Sequence, residues 1–151
     1  MIRERLADDL KAALKARDPA RVSTLRMVAA ALKDRDIAAR TEGAGGPVAE
    51  AEVLTLLAKM IRQRQESAKV YAEGGRPELA ARERAEIAVI EGYLPRQMEA
   101  VEVEAAVRAA VAETGAASVR DMGKVMAVLK ARHAGEMDFG AASGVVKRLL
   151  G

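Results

Sequence analysis

The chain has 151 residues, enough for one large domain or two small ones. It contains no Cys, no Trp and a single His, and only three of its residues are aromatic. Without Cys the chain has no disulfide scaffold, thiolate metal site or cysteine nucleophile, and three aromatic rings do not line a cofactor pocket or a base-stacking platform. The net charge of +3 permits an anionic partner without requiring one.

The composition predicts an all-α protein. Alanine alone accounts for 33 residues, the other strong helix formers are abundant, and residues that favour sheets are scarce apart from scattered Val. The stretch Met1–Arg5 alternates charges, unlike a secretory signal. The longest apolar run, Met27–Leu32, is far shorter than the roughly 20 residues of a membrane span. These features predict a cytoplasmic address and no membrane contact.

Helix-capping and helix-breaking residues divide the chain into seven predicted helices. Asp18 and Pro19 are typical of a helix start, Gly74-Gly75 of a turn between helices, and Gly115 of a helix end. The predicted helices span 2–17, 20–40, 49–73, 78–93, 101–114, 119–132 and 139–150. Pro95 marks the predicted boundary between a helical N-terminal domain, 1–95, which contains a long antiparallel hairpin, and a small three-helix domain, 96–151.

The hairpin around Gly74-Gly75 places one basic residue among apolar ones. Arg64 lies on or beside the apolar stripe of the third helix and, counted back from the turn, is level with Glu86 on the fourth. We therefore predict an Arg64–Glu86 ion pair that is partly screened from water. An ordinary helix-surface pair is favoured over a catalytic role for the carboxylate.

No catalytic constellation stands out. None of the serines lies in a nucleophile-elbow context, any Ser-His-Asp triad would have to use His133, and Gly123-Lys124 alone is not a phosphate-binding loop. His133, Glu136 and Asp138 form a loose cluster that could hold a hard cation, but a solvated loop is the preferred interpretation. The sequence therefore predicts no metal, no cofactor and no catalytic residues.

The distribution of basic residues gives a stronger indication of the kind of partner that the protein binds. Residues 99–113 hold four Glu against one Arg, a net charge of −3, whereas residues 120–148 hold six basic against three acidic residues, a net charge of +3. The six basic residues are Arg120, Lys124, Lys130, Arg132, Lys147 and Arg148. In the second helix, Arg26, Lys33 and Arg40 recur every seven residues on one face. One basic side of a helical unit suits phosphate contact, although ordinary surface charge gives the same pattern.

Several stretches, in order along nearly the whole chain, resemble the YqeY family, the stand-alone relatives of the tail domain of aspartyl/glutamyl-tRNA amidotransferase (the GatB/YqeY domain). The stretches are Leu25-Arg26-Met27-Val28, Arg64-Gln65-Glu66-Ser67, Tyr93-Leu94-Pro95-Arg96-Gln97-Met98 and Asp121-Met122-Gly123-Lys124-Val125-Met126. The YLPxQ and DMGKVM pieces at their proper separation carry most of the resemblance. It implies a two-part all-helical fold and makes tRNA or structured RNA the leading partner class.

The resemblance also suggests roles for single residues. Gly123 and Lys124 fall on the MGKVM motif, where Gly123 would permit close approach of a helix or backbone and Lys124 would be the first exposed charge to contact phosphate. Tyr93 and Pro95 would fix the joint between the two domains. The turn at 133–140 is more acidic than in the family, which shifts the expected contact to Lys124, Lys130, Lys147 and Arg148.

Three functions remain to be compared. The first is a non-enzymatic accessory protein that binds tRNA or structured RNA through the basic face, with Arg26 and Lys33 as further contacts, and reads shape and phosphate because only Phe139 is left for stacking. The alternative is a protein–protein adaptor in translation or tRNA modification, which predicts an exposed apolar patch of more than about 600 Å² beside the hairpin. Carbon–nitrogen ligase activity with glutamine as part of a complex is less favoured, because the chain is too short to hold the amide-transfer domains. The oligomeric state is not predicted.

Overall fold

The computed structural model describes residues 1–151 as seven α-helices and one 3₁₀ turn, without strands. The helices are α1 (Ile2–Lys15), α2 (Pro19–Thr41), α3 (Glu50–Glu73), α4 (Pro77–Glu91), α5 (Ala100–Thr114), α6 (Met122–Arg132) and α7 (Phe139–Leu150). The 3₁₀ turn, Val119–Asp121, leads directly into α6. The predicted all-α class is confirmed, and the helix ends lie within two residues of the predicted ones except at the start of α6, whose first turn is 3₁₀.

The helix ends follow from capping chemistry. The Asp18 side chain accepts a hydrogen bond from the backbone N–H of Arg21 at 3.2 Å, and Pro19 occupies the first position of α2. α1 stops two residues earlier than predicted because Arg17 takes a left-handed conformation with φ of 55°. This turn directs Asp18 into its capping position. Gly115, with φ of 67°, ends α5 in the left-handed conformation that glycine tolerates best.

The chain divides into two compact units, Met1–Leu94 and Pro95–Gly151, one residue before the predicted boundary. Each unit has its own hydrophobic core. The fully buried large side chains are Leu25, Val28, Val53, Leu57 and Ile90 in the first unit and Val107, Val125, Leu129 and Val146 in the second. α1, α2, α3 and α4 therefore build the first core, to which α1 contributes Ile2, Leu6 and Ala13, and α5, α6 and α7 build the second. None of the helices is long and apolar enough to cross a membrane.

Arg64 ties three helices of the N-terminal unit together. Its Nε donates to Glu86 Oε2 on α4 at 3.0 Å, its Nη1 donates to the backbone carbonyl of Met60 on α3 at 3.1 Å, and its Nη2 lies 2.8 Å from the sulfur of Met27 on α2. The Arg64 and Glu86 side chains are only 12% and 16% exposed. The predicted ion pair is present, and it is more deeply screened than a surface pair.

Tyr93 fastens the end of α4 to α1. Its side chain is buried, its hydroxyl donates to the Asp9 carboxylate, and the Arg5 guanidinium lies 4.9 Å from the ring centroid. Arg5 also donates to the carbonyl of Gly92 at 3.0 Å. Burial, reinforced by the Asp9 hydrogen bond, raises the pKa of Tyr93 to about 12. These partners all lie inside the N-terminal unit, so Tyr93 acts in the core of that unit, whereas the family resemblance suggests a role at the joint.

The Arg64–Glu86 pair should couple energetically. Arg64→Met leaves a mostly buried carboxylate without its nearest donor, and we expect it to lower the free energy of unfolding by about 2–3 kcal/mol. The double variant Arg64→Met/Glu86→Leu should lose about 1–2 kcal/mol less than the two single losses combined. Urea unfolding measures all four proteins. Arg82→Met is the control, because Arg82 is 73% exposed and 3.9 Å from Glu86, and it should cost less than about 1 kcal/mol. Additive losses would contradict the coupling.

Tyr93 should make stability fall at alkaline pH. Its folded-state pKa lies above the unfolded value near 10, so its contribution is complete below about pH 10 and is lost as the pH rises through about 12. Tyr93→Phe should remove this part of the pH dependence, measured by urea unfolding between about pH 9 and pH 12. In a Tyr71→Phe background the remaining tyrosine should ionise near pH 12 by ultraviolet absorbance. Ionisation near pH 10 in the folded protein would contradict this assignment.

Candidate nucleic-acid interface

The predicted basic side of the C-terminal unit is exposed but only partly free. Arg120 lies on the 3₁₀ turn, Lys124, Lys130 and Arg132 on α6, and Lys147 and Arg148 on α7, and all six are solvent-exposed. Two of them face glutamates of α5. Arg132 forms an ion pair with Glu113, and Arg148 Nη2 lies 3.7 Å from Glu104 Oε2. The other four have no ion-pair partner.

The acidic helix α5 is what neutralises part of the basic side. Glu104 accepts a hydrogen bond from Arg108 at 2.9 Å and also lies near Arg148. The Arg108 hydrogen bond, with a smaller contribution from Arg148, holds the pKa of Glu104 below its usual range. The charge separation seen in the sequence therefore becomes a set of contacts between helices. Because glutamates partly neutralise them, Arg132 and Arg148 should attract an anionic partner less strongly than their exposure suggests.

Three unpaired basic residues lie around the start of α6, and we call Arg120, Lys124 and Lys147 the α6-entry cluster. Arg120 lies on the 3₁₀ turn, four residues before Lys124, whereas Lys130 lies six residues, or about 9 Å of helix, beyond Lys124. The 3₁₀ turn packs against the end of α7, where Val119 lies beside Gly151 and the carbonyl of Lys147 accepts from the Gly151 N–H at 2.7 Å. This contact places the last turn of α7, which begins at Lys147, beside the 3₁₀ turn, and we leave Lys130 out of the cluster because it lies further along α6.

Asp121 fixes the turn that carries the cluster. Its carboxylate accepts hydrogen bonds from the backbone N–H groups of Ala117 at 2.9 Å and Ser118 at 3.4 Å. These bonds, with a small contribution from Lys124, hold the pKa of Asp121 below its usual range. The Ser118–Asp121 relation is a capping box, as the spacing of these two residues indicates. Its effect is to hold Arg120 on a defined turn.

Gly123 is open on its exposed side. Apart from the neighbouring residues and the backbone of its own helix, no atom lies within 4 Å of the position that a β-carbon would take there, and the same holds for Gly144 on α7. A glycine inside a helix destabilises it by roughly 1 kcal/mol relative to alanine. The close helix contact expected at Gly123 is therefore absent within the chain. The space beside the α6-entry cluster remains available to an outside backbone.

The basic row of α2 belongs to a different surface. Arg26, Lys33 and Arg40 are exposed and have no ion-pair partner. Lys33 and Arg40 line a groove of about 390 Å³ between α1 and α2, and its walls include the apolar side chains of Leu32 and Ile37. Apolar walls do not suit a phosphate backbone. The row lies in the N-terminal unit, whereas the α6-entry cluster lies in the C-terminal one.

Two further expectations concern side chains of the C-terminal unit. Phe139 is partly buried and packs against the core of that unit, which leaves only part of its ring exposed for stacking. His133 Nδ1 lies 2.8 Å from Glu136 Oε2, and Asp138 caps α7 by accepting from the N–H of Gly140 at 2.8 Å. No three His, Asp or Glu residues of the chain gather at a spacing suited to a metal ion.

Sequence reasoning misses a second surface, where α2 crosses the hairpin of α3 and α4. Ser23, Ser67 and Glu83 line a pocket of about 440 Å³ there, together with Arg64 and Glu86. The serines do not stand out in the sequence because they lack a nucleophile context. A signal is nevertheless present, since Ser67 lies one helical turn beyond Arg64 and so shares its face.

Comparison with known proteins identifies the family of the chain. A family model described as "Yqey-like protein" matches residues 3–150. The chain is 33% identical over 99 residues to Altered inheritance of mitochondria protein 41, mitochondrial, of Lachancea thermotolerans, in an alignment covering 66% of this chain and 51% of that protein. It is 30% identical over 104 residues to the protein of the same name from Eremothecium gossypii, covering 69% and 55%. The chain thus spans about half the length of these curated relatives, and it belongs to the Yqey-like protein family.

Proposed function

We propose that the chain is a non-enzymatic accessory protein that binds tRNA or structured RNA through the α6-entry cluster. The observation that carries the proposal is that Arg120, Lys124 and Lys147 are exposed, have no ion-pair partner, and lie on the turn and the two helices that meet near the start of α6, where the position beside Gly123 is open. Cations around an accessible backbone position suit contact with phosphate groups. The other predicted contacts contribute less, because α5 partly neutralises Arg132 and Arg148.

The proposed contact reads phosphate charge and helix shape. All three aromatic side chains have other positions in the fold: Tyr93 is buried, Phe139 packs on the C-terminal core, and Tyr71 lines the pocket in the N-terminal unit. No ring therefore remains beside the cluster for stacking on an unpaired base. Three phosphate contacts correspond to a slope of about 2–3 in a plot of log affinity against log salt concentration.

Two other assignments are less favoured. An adaptor that docks beside the α3–α4 hairpin needs a large apolar patch there, but Val70 is the one large apolar side chain of these helices that is well exposed. Glutamine-dependent carbon–nitrogen ligation would require a partner that supplies the amide-transfer chemistry, and conversion of misacylated tRNA by the purified chain with glutamine and ATP would establish it. The names of the two relatives assign those proteins to mitochondria, and the cytoplasmic address of this chain stays a prediction.

Charge reversal of the α6-entry cluster should abolish most RNA binding. We expect Arg120→Glu/Lys124→Glu/Lys147→Glu to weaken tRNA binding about 100-fold at low salt and to lower the salt slope by about 2–3, because each residue loses a phosphate contact. Filter binding or fluorescence anisotropy at several salt concentrations measures both quantities.

The matched control changes the net charge equally elsewhere. Lys59→Glu/Lys69→Glu/Arg84→Glu alters three exposed, unpaired residues of α3 and α4 and should weaken binding less than about tenfold. Within α6, Lys124→Glu should weaken binding more than Lys130→Glu, because Lys130 lies outside the cluster. Equal losses in the two triple variants would reduce the interaction to general charge attraction, and no binding by the natural chain at low salt would refute the proposal.

Gly123→Ala should separate stability from binding. Since nothing in the chain contacts this position, alanine should stabilise the C-terminal unit by about 0.5–1 kcal/mol. If RNA approaches this face, the added methyl group should weaken tRNA binding by about threefold or more, equivalent to about 0.7 kcal/mol. Gly144→Ala serves as the comparison on α7. Higher stability with unchanged affinity would place the RNA away from Gly123.

A further inference from the structure

The N-terminal unit contains a trough where α2 crosses α4. Two adjoining pockets of about 440 Å³ and 500 Å³ share Ser23, Arg82 and Glu86 as lining residues, so they form one continuous depression. We call it the α2–α4 trough. One half continues over α3, and we call it the polar half because it carries hydroxyl and charged side chains, although polar and apolar atoms share its surface about equally. The other half lies between the start of α2 and the end of α4.

The polar half carries hydrogen-bonding groups that the fold does not use. The hydroxyls of Ser23, Ser67 and Tyr71 and the carboxylate of Glu83 line it, and none of them has a hydrogen-bond partner in the chain. All four threonines, by contrast, lie in helices and donate to the carbonyl four residues earlier. The unused groups face the trough, where a ligand could pair with them.

At the floor of this half, one nitrogen of the Arg64 guanidinium has only a weak hydrogen-bond acceptor. Arg64 Nη2 rests against the sulfur of Met27 at 2.8 Å, and a thioether is a weak acceptor. A carbonyl oxygen placed there would receive a stronger, charge-assisted hydrogen bond. The charges of Arg64 and Arg82 are balanced by Glu83 and Glu86, so the trough does not select phosphate. Its occupant should be uncharged and rich in amide groups.

The other half has small apolar walls. Pro19, Ala20, Ala85 and Val89 line it, together with the buried Thr24 and with Asp18 and Arg21, whose opposite charges balance each other. These walls provide a site for one apolar side chain but no exposed aromatic ring on which a sugar could stack. A chain with alternating amide groups and side chains matches both halves at once, whereas a polyol would leave the apolar half empty.

The length of the trough matches that of a short extended peptide. From Leu79 to Val89 it follows ten residues of α4, which at 1.5 Å per residue is about 15 Å. An extended polypeptide advances about 3.3 Å per residue, so four or five residues fill it. We propose that the α2–α4 trough binds an uncharged, extended segment of a partner polypeptide, with backbone amides over Arg64 and an apolar side chain between Ala85 and Val89.

The test uses the full chain and a phage-displayed library of random peptides of about seven residues, long enough to span the trough. Enriched peptides are synthesised and their affinities measured by titration. Ala85→Tyr fills the apolar half and should weaken binding at least about tenfold, equivalent to about 1.4 kcal/mol. Ala88→Tyr is the matched control, because Ala88 is exposed on the same helix but does not line the trough, and it should leave the affinity unchanged.

Two further measurements keep the outcome decisive. Ser23→Tyr, at an exposed position that lines both halves, replaces Ala85→Tyr if thermal unfolding shows that the first variant is misfolded. Both trough variants should bind tRNA like the natural chain, which separates this proposal from the RNA-binding one. The proposal is overturned if no peptide is enriched, if the trough variants keep full affinity, or if the enriched peptides are acidic and lose binding in the α6-entry triple variant.

Discussion

The packing of the N-terminal unit depends on the contacts of the Arg64 guanidinium. It reaches Glu86 on α4, the Met60 carbonyl on α3 and Met27 on α2, so one side chain fixes the relation of three helices. A mostly buried charge must keep its partner, because an unpaired one is far more costly than the pair is stabilising. The polar floor of the α2–α4 trough follows directly from this requirement, since the residues that hold the hairpin together also line the depression.

In the C-terminal unit the corresponding constraint is electrostatic. On α5, Glu113 forms an ion pair with Arg132 of α6 and Glu104 lies near Arg148 of α7. These contacts partly neutralise the two arginines. A basic side that looks uniform in the sequence thereby narrows to the α6-entry cluster. The two surfaces consequently differ in chemistry: one is unpaired and cationic, whereas the other is balanced in charge and rich in unused hydrogen-bonding groups. We assign RNA to the first and an uncharged peptide segment to the second.

Features set by local chemistry were predictable from the sequence. The start of α2 follows from Asp18 and the end of α5 from Gly115, and the Ser118–Asp121 cap marks the 3₁₀ turn that leads into α6. The Arg64–Glu86 pair follows from counting residues on either side of a short turn. Features that depend on how helices pack were not predictable. The neutralisation of Arg132 and Arg148 requires knowing which helices α5 faces, and the packing of Phe139 requires knowing the C-terminal core. The α2–α4 trough exists only because α2 crosses the hairpin beside Arg64, a contact between residues far apart in the sequence.

Hydrogen–deuterium exchange of the full chain, with and without tRNA at low salt, tests whether RNA binds at the α6-entry cluster. Backbone amides exchange more slowly where RNA restricts local opening or solvent access. If RNA binds at the α6-entry cluster, we expect slowed exchange from Ser118 through Lys124 and at the end of α7, with no change along the α2–α4 trough. Protection confined to the N-terminal unit, or no protection at the start of α6 under conditions where tRNA is bound, would contradict it.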